Sequence, residues 1–576
     1  MKKILTLMVT LITLSGCQKD LLDTAPYSAI SSQTMWTTDN LTDLGVSGVY
    51  SALRLVPSYK NETYGATGQN ISSQSLMTGT ITSSDGMFTT FWQNYYEGIQ
   101  RANDAIINIP LKSPSDAAKK ARYMAECKFL RGYDYLCLNR VFKGVPIYLE
   151  PFTPEQATKA RSTEADVWNQ VIADLTDAIN EPNLPNFYAA HAANYGHITK
   201  GAAYALRGKA YMYLKNWAAA VTDFASVKSC GYSLFSDYKS LFKEANEECP
   251  EIIFSLQEIA QTGYGLDIQL EFGNRSSFTS DWDDWIVQPD LVDTYEYVDG
   301  TKFNWNNVIP GYSSLTPNQR EVYFLRNNLT AAEISAAALR GAQMSLYLPN
   351  GNEQRILAAY TNRDPRLAAT VITPYSTYLG SYSNTTTPTT STMRWPYRAQ
   401  ALVDGDLQQS KVNYLYYLYR KFVGEGVTEV IDRSNSPIDY PLIRYADVLL
   451  MWAEALNEQG LTSNAIAKVN EVRARAGIAL LNSNTPTTVL GQADLRERIR
   501  NERRVEFPGE GIDFFDELRW GSWKDKVFYP GNGVKEVWGT VQFPYSFKAD
   551  YITTWAIPQV EIQRNPNLVQ NPGWIQ

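Results

Sequence analysis

The sequence predicts a mostly α-helical protein in which a scaffold of paired helices carries a long, irregular insertion. Apolar and small residues recur at helical spacing in about residues 36–250 and 440–525. Between them, in about residues 250–440, Trp, Tyr, Asn, Gly and Pro are frequent and helical periodicity is short. We expect residues 17–576 to form one domain, and we expect ligand-binding residues on the loop-rich insertion, because binding commonly resides on loops held by a rigid scaffold.

The first residues are typical of a secretory signal. A positively charged start at residues 1–3 precedes a mainly apolar run, Ile4–Leu14, and the small residues Ser15 and Gly16 come directly before Cys17. The apolar run is too short to cross a bilayer as a helix. Small residues before a cysteine resemble a bacterial lipobox, so we expect residues 1–16 to be removed and lipid on Cys17 to tether the mature chain. An ordinary signal peptide followed by a chance cysteine is the alternative.

Composition and motifs narrow the function classes. The formal net charge of −8 argues against nucleic-acid binding, which needs a basic footprint. The chain has only two histidines and lacks the C-x-x-C, G-x-S-x-G, H-E-x-x-H, phosphate-loop and dinucleotide patterns, so we expect no histidine-based metal site, no cofactor and no enzyme activity. The sequence leaves open whether a structural metal ion is bound. Aromatic residues make up 12% of the chain. Tyr and Trp suit core packing and also sugar or peptide binding.

The remaining cysteines are expected to be small buried residues. Cys127 and Cys137 lie on one predicted helix, about 15 Å apart at the helical rise, which is too far for a disulfide. Cys230 and Cys249 could pair, and nothing further in the sequence decides this.

Helices and loops follow in order along the first part of the chain. Helical spacing begins near Leu41–Leu53, and a polar stretch, Ser58–Asp85, is predicted to be a loop. A second helix contains Phe91–Asn103 and ends before Pro110, and a third runs from about Ser115 to Leu138. Farther on, the Ser- and Thr-rich stretch Ser381–Thr392 is predicted to be an exposed flexible loop.

Two stretches show the spacing of tetratricopeptide repeats, which are pairs of antiparallel helices. Small residues at Gly208 and Ala220 allow two helices to approach closely, and Tyr211 and Phe224 fill the seam between them. Repeats of this kind bury their faces by stacking on neighbours. An ordinary helical hairpin is a fair alternative for the second copy. The first copy is Tyr204, Gly208, Tyr211, Trp217, Ala220, Phe224 and Val227; the second is Leu449, Ala453, Leu456, Ala465, Val469 and Val472.

Short motifs spread over the whole chain resemble those of the SusD-like (RagB/SusD) family. Each motif alone is weak evidence, and the resemblance rests on the presence of the full set in the same order. The resemblance implies a helical lipoprotein of the outer membrane with tetratricopeptide-like hairpins, which captures glycans, or in some members peptides, and passes them to a SusC-like TonB-dependent transporter. The motifs are Trp92-x-x-Tyr95-x-x-x-Ile99-x-x-Ala102-Asn103, Arg363-Asp364-Pro365-Arg366, Arg444-Tyr445-Ala446-Asp447 with Ala453-Glu454-Ala455, Asn501-Glu502-Arg503-Arg504-x-Glu506-Phe507, and Asn565-Pro566-Asn567-Leu568.

The charged residues in these motifs are interpreted as architectural. They alternate with apolar neighbours on predicted helices, a pattern typical of buried ion pairs. We therefore predict structural ion pairs, and not a catalytic group, for Arg444, Glu454, Arg503, Arg504 and Glu506.

Ligand-binding candidates are aromatic residues beside polar ones. Asp281-Trp282-Asp283-Asp284-Trp285 is typical of a sugar-binding loop, because indole faces stack on sugar rings and carboxylates accept bonds from hydroxyls. The alternatives are core anchors and, less favoured, a glycosidase acid and base, which would need a set carboxylate separation. Trp305 among asparagines is a further candidate, whereas Trp395 and Arg398 are weaker ones. The predicted ligand-binding set is Trp282, Trp285, Asp283, Trp305, Tyr59, Tyr64, Asp85 and Phe88.

Overall fold

A computed structural model describes residues 34–56, 58–277, 281–381, 387–398 and 404–575. The signal segment and the lipidation candidate Cys17 lie outside these residues. Among the residues described, no helix has the length and apolar character needed to cross a membrane.

Helices dominate the structure, as predicted. The long helices form the scaffold, except for Ala331–Arg340, which lies in the insertion; the other helices of the insertion are short. The long helices are α1 (Asp39–Ser51), α2 (Gly86–Lys112), α3 (Ala117–Phe142), α4 (Glu164–Asn180), α5 (Lys200–Tyr213), α6 (Trp217–Ser229), α7 (Ala331–Arg340), α8 (Tyr445–Glu458), α9 (Thr462–Ala476), α10 (Gln492–Glu506) and α11 (Asp513–Trp520). Short helices span Ser75–Thr78, Tyr238–Leu241, Ile268–Phe272, Pro289–Thr294, Trp305–Val308, Pro317–Arg320, Asn352–Leu357, Pro365–Thr370, Trp523–Val527 and Gln559–Arg564.

The two predicted tetratricopeptide-like pairs are present and stacked. Helices α5 and α6 form the first pair and α8 and α9 the second, and α6 packs against α8. In the seam of the first pair, a β-carbon at Gly208 would lie 2.5 Å from the Phe224 ring, so only glycine lets the helices come this close. Helices α2, α3 and α4 pack consecutively in the same manner. The sequence spacing therefore identified the scaffold correctly.

Strands are short and pair in twos, always antiparallel. They are β1 (Gly68–Asn70), β2 (Ile252–Leu256), β3 (Trp285–Val287), β4 (Val371–Ile372), β5 (Thr377–Ser381), β6 (Pro388–Thr392), β7 (Leu418–Tyr419), β8 (Tyr440–Arg444), β9 (Gly533–Lys535) and β10 (Val541–Pro544). The pairs are β1 with β3, β2 with β8, β4 with β7, β5 with β6, and β9 with β10.

The expectation of a flexible loop at Ser381–Thr392 is wrong at both of its ends. Strands β5 and β6 form a hairpin that runs from Thr377 opposite Thr392 to Ser381 opposite Pro388. Threonine is β-branched and favours strands, and this preference outweighs the loop character suggested by Ser and Thr composition.

A buried ionic network joins the scaffold to the insertion. Arg444 lies within 2.7 Å of Glu506, and within 2.8 Å of both Glu251 and Glu510. Arg366 of the insertion also contacts Glu506, at 2.8 Å. Burial alone would raise the pKa of Glu506, but the surrounding guanidinium groups hold it well below its usual range.

The other charged motif residues are paired as well. Arg503 lies 2.8 Å from Asp447, Arg504 contacts Glu517, and Arg519 lies 2.5 Å from Glu454. The prediction that the motif charges form buried ion pairs is therefore confirmed.

Candidate functional site

A two-stranded sheet brings the early polar segment next to the predicted Trp282 segment. In this sheet Asn70 of β1 is opposite Trp285 of β3, and the backbone N–H of Ile71 donates to the carbonyl of Asp284 at 2.9 Å. These partners are more than two hundred residues apart in the chain. No periodicity in the sequence indicates such a pairing, so this juxtaposition was not predicted.

Trp282 is the most exposed tryptophan of the protein, with 44% of its surface accessible. Its backbone N–H donates to the carbonyl of Leu270 at 2.8 Å, and the N–H of Asp283 donates to the carbonyl of Gly273 at 2.9 Å. The backbone that carries this indole is therefore fixed to the short helix Ile268–Phe272 and the residue after it.

Asp281 and Asp283 are buried and hold the loop in place. The Asp283 carboxylate accepts from the backbone N–H of Ser410 at 2.8 Å and from its hydroxyl at 3.1 Å. Asp281 accepts from the side-chain amide of Gln269 at 2.7 Å. Burial raises the pKa of Asp283 well above its usual value and the pKa of Asp281 to about 7. The expectation that Asp283 contacts a ligand is therefore corrected, because its carboxylate is enclosed and already bonded.

Charged side chains flank the segment that carries Trp282, and sequence reasoning missed most of them. Glu271 follows Leu270, whose carbonyl accepts the Trp282 N–H, and Asp284 is two residues beyond Trp282. Burial and the neighbouring carboxylates of Asp267 and Asp284 raise the pKa of Glu271 to about 7, against the opposing effect of Lys60. The pKa of Asp284 is raised by its partial burial, although Lys411 and Arg275 lower it.

We use the name Trp282 surface for Trp282, Glu271, Asp284, Lys60 and Lys411. The surface combines one aromatic face with hydrogen-bond acceptors and donors. Lys60 and Lys411 are exposed, whereas Glu271 and Asp284 are half-buried. In the sequence these residues come from four separate segments with no shared motif, so sequence reasoning singled out only the segment that contains Trp282 and Asp284.

Two candidates from the predicted set are core residues and do not belong to the Trp282 surface. Trp285 and Tyr59 are buried with their ring centroids 5.3 Å apart, and the Phe272 ring lies 5.8 Å from Trp285. The Tyr59 hydroxyl donates to Asp267. Neither ring has a free face, so both residues support the surface and cannot stack on a ligand.

The other early candidates also have structural positions. Phe88 is buried between Trp555 and Trp574, at centroid distances of 5.5 and 5.3 Å, so the expectation of a ligand contact is wrong for it. Asp85 caps helix α2 by accepting from the N–H of Met87 at 3.0 Å.

Tyr64 is half-buried, and its ring lies 5.7 Å from Phe514. Phe88 and Tyr64 are covered by residues from the far end of the chain, which the polar composition of their own segment does not indicate.

Trp305 belongs to a separate aromatic cluster. Its ring stacks on Tyr312 at 4.5 Å with an interplanar angle of 15°, and its indole N–H donates to Asp293 at 3.0 Å. Burial raises the pKa of Asp293 to about 7, and the bond from Trp305 opposes this shift. Trp305 is half-buried, with one face covered. Within the described ranges no hydrogen bond or ring contact joins it to Trp282.

The remaining sequence expectations concern metals, cysteines and weaker candidates. In the described part of the chain, no cluster of His, Cys, Asp and Glu has the arrangement of a metal site, and Cys230 and Cys249 are not bonded to each other. Trp395 is buried and donates to Glu321 at 2.9 Å, while Arg398 is paired with Asp406.

Comparison with known proteins agrees with this architecture. The sequence model of the SusD family matches residues 250–574, and a model described as starch-binding associating with outer membrane matches residues 20–212. A SusD-like protein of Formosa agariphila is 27% identical over 560 residues, covering 92% of this chain and 93% of that protein.

Solved structures share the fold. A SusD-like carbohydrate binding protein from Bacteroides fragilis has a TM-score of 0.73 at 24% identity, covering 93% of this chain and 100% of that one. A laminarin binding SusD-like protein has a TM-score of 0.61 at 21% identity, covering 94% of this chain and 100% of that one. With a family match that spans more than half of its length and a helical scaffold of the same fold, the chain belongs to the SusD family.

Proposed function

We propose that this protein captures glycans at the cell surface and delivers them to a SusC-like TonB-dependent transporter, while lipid on Cys17 holds it at the outer membrane. The observation that carries the proposal is the Trp282 surface. An exposed indole offers an apolar face to the C–H groups of a sugar ring. The carboxylates of Glu271 and Asp284 can accept bonds from sugar hydroxyls, and the lysine ammonium groups can donate to them.

Hydrolysis by Asp281 and Asp283 is disfavoured by the state of these two carboxylates. A glycosidase needs two carboxyl groups that face the scissile bond from opposite sides. In the Asp281–Trp285 segment, Asp281 and Asp283 are enclosed and bonded to Gln269 and Ser410. Product analysis after long incubation with each polysaccharide tests this part of the proposal, and released oligosaccharides would contradict it.

Substitution of Trp282 tests the binding role. Trp282→Ala should weaken glycan binding by about 1–3 kcal/mol, the range for truncation of an interface anchor, and leave the melting temperature unchanged. Affinity electrophoresis and calorimetry would use starch, laminarin, xylan and mannan, with peptides from a casein digest as the alternative ligand class. Leu339→Ala, at a side chain 90% exposed on α7, is the matched control for loss of an exposed apolar group.

The outcomes separate the hypotheses. Weaker glycan binding in Trp282→Ala alone supports glycan capture through this surface. Binding of peptides and of no polysaccharide would favour the peptide-capturing alternative. Full polysaccharide binding by the folded Trp282→Ala variant would overturn the assignment of the site.

Membrane attachment is tested separately. Cys17→Ala should abolish acylation and release the protein from the membrane fraction in cells that lack the transporter. Retention of this variant after a carbonate wash would contradict the lipid anchor.

A further inference from the structure

A groove separate from the Trp282 surface lies between α2, residues 146–157 and the C-terminal helix Gln559–Arg564. Its volume is about 560 Å³. Ligand sites for small molecules commonly have roughly 300–1,000 Å³, so the groove is large enough for one or two sugar rings. We call it the α2 groove. None of the Trp282 surface residues lines it.

Aromatic rings form much of the wall of the α2 groove. Trp92 and Tyr96 of α2 have ring centroids 5.0 Å apart, and Tyr148 stacks on Phe152 at 4.1 Å. The Tyr96 hydroxyl donates to the carbonyl of Pro146 at 2.7 Å, which fixes that side of the groove. Phe152 is half-buried and keeps part of its ring accessible.

One polar group in this wall lacks a partner. Trp92 is only 5% exposed, yet no residue in the described part of the chain accepts a hydrogen bond from its indole N–H. The indole Nε1 itself is not enclosed by protein, so its N–H reaches solvent and can donate to a molecule in the groove. Because Trp92 lines the groove, the acceptor can come from whatever occupies it.

The charges at the rim of the groove compensate one another. Glu97 is paired with Arg101 at 2.9 Å and Glu561 with Arg564 at 3.2 Å. The side-chain amide of Gln93 also donates to Glu561, at 2.7 Å. With neither sign in excess, the rim has no strong attraction for an anion or a cation. A neutral ligand with hydroxyl groups fits best, since a hydroxyl can accept from Trp92 and donate to a rim carboxylate.

We propose that the α2 groove is a second carbohydrate subsite, which takes a neutral sugar ring against Phe152 and accepts the indole N–H of Trp92. This inference rests on the proposed function, in that both assume a glycan ligand. It adds a site on the helical scaffold, distant in sequence from the insertion, that could hold a second part of a long chain while the Trp282 surface holds the first.

The test observes the Trp92 N–H itself. Protein with ¹⁵N-labelled indole groups is titrated with maltose, cellobiose, laminaribiose and xylobiose at millimolar concentration, and the indole signals are followed by NMR. Trp92→Phe, which keeps an aromatic ring and removes the donor, assigns the Trp92 signal, and Trp282→Ala assigns the Trp282 signal. Trp217→Phe, at a half-buried tryptophan that starts α6, is the control for loss of one indole.

We expect at least one disaccharide to shift the Trp92 signal saturably, in the wild type and equally in Trp282→Ala. Phe152→Ala should weaken that binding about tenfold, and Phe152→Leu should weaken it less because it keeps an apolar wall. A Trp92 signal that none of the four sugars moves would overturn the proposal. So would a shift that vanishes in Trp282→Ala or one that folded Phe152→Ala leaves unchanged. If only the proposed role of the Trp282 surface is wrong, the sugars will shift the indole signal of Trp92 and leave that of Trp282 unchanged.

Discussion

Gly208 offers a direct test of how closely the first helical pair must pack. A β-carbon at this position would lie 2.5 Å from Cε1, 2.9 Å from Cδ1 and 3.0 Å from Cζ of Phe224. Favourable carbon contacts lie at about 3.5–4.0 Å, so even alanine overlaps the ring. Phe224 is fully buried, and its ring can move only if the surrounding helices also shift.

The opposing effects can be weighed. Overpacking of this kind costs about 1–3 kcal/mol. Replacing glycine by alanine inside a helix returns about 0.5–1 kcal/mol of helix propensity. We therefore expect Gly208→Ala to lower the free energy of unfolding by about 1–2 kcal/mol. Gly48 in α1 is the matched control, because a β-carbon there would meet no atom within 4 Å. Gly48→Ala should raise stability by about 0.5–1 kcal/mol.

Thermal unfolding of the two variants and of a double mutant measures these differences. In a Phe224→Leu background the Gly208→Ala substitution should lose most of its cost, because the smaller side chain leaves room for the methyl group. The reasoning is refuted if Gly208→Ala is as well tolerated as Gly48→Ala, or if its cost is the same with and without the Phe224 ring.

Two further predictions concern buried charge. Glu506→Gln should lower the free energy of unfolding by about 3–5 kcal/mol, because Arg366, Arg444 and Arg475 would lose a shared buried partner. As the control, Glu97→Gln, at a half-exposed side chain, should change the free energy of unfolding by less than about 1 kcal/mol. Equal effects of the two substitutions in denaturant titrations would contradict a stabilising role of the buried network. Burial raises the pKa of Glu258 to about 8, although Arg54 opposes the shift. The contribution of protonated Glu258 to the free energy of unfolding is therefore present at low pH and is lost as the pH rises through about 8. Melting temperatures from roughly pH 6 to pH 9 should fall less in Glu258→Gln than in the wild type, and equal slopes would show that Glu258 does not titrate in this range.

The helical scaffold could be predicted because its determinants are local. Gly208, Ala220 and Phe224 recur at repeat spacing, and the structure places them in one seam. The pairing of the charged motif residues could also be predicted, because arginine and glutamate between apolar residues on a helix are usually buried in ion pairs. Here the sequence indicated that Arg444 and Glu506 were buried in ion pairs, and the structure supplied the partners from distant segments.

The candidate site was harder to predict because it depends on contacts between distant segments. Tyr59 and Phe88 lie in polar surroundings in the sequence, yet Trp285 covers the first and Trp555 and Trp574 cover the second. Lys60 and Lys411 carry no motif and come near Asp284 and Glu271 only through tertiary packing. Local composition indicates the chemistry of a residue, whereas the solvent exposure of its side chain depends on which distant segments pack against it.

The way Trp282 is held has a consequence for how a ligand would be selected. Its loop is fixed by backbone bonds to Leu270 and Gly273 and by the Asp283 carboxylate on Ser410. The conformational entropy of ordering this loop is therefore lost during folding, and little remains to be lost on association. A preorganised surface of this kind would select among glycans by the conformation that each glycan already adopts in solution. If the Trp282 surface binds glycans as proposed, stiff or regularly twisted glycans that match this fixed backbone segment would bind better than flexible ones of the same composition, because only the flexible ones must be ordered on binding.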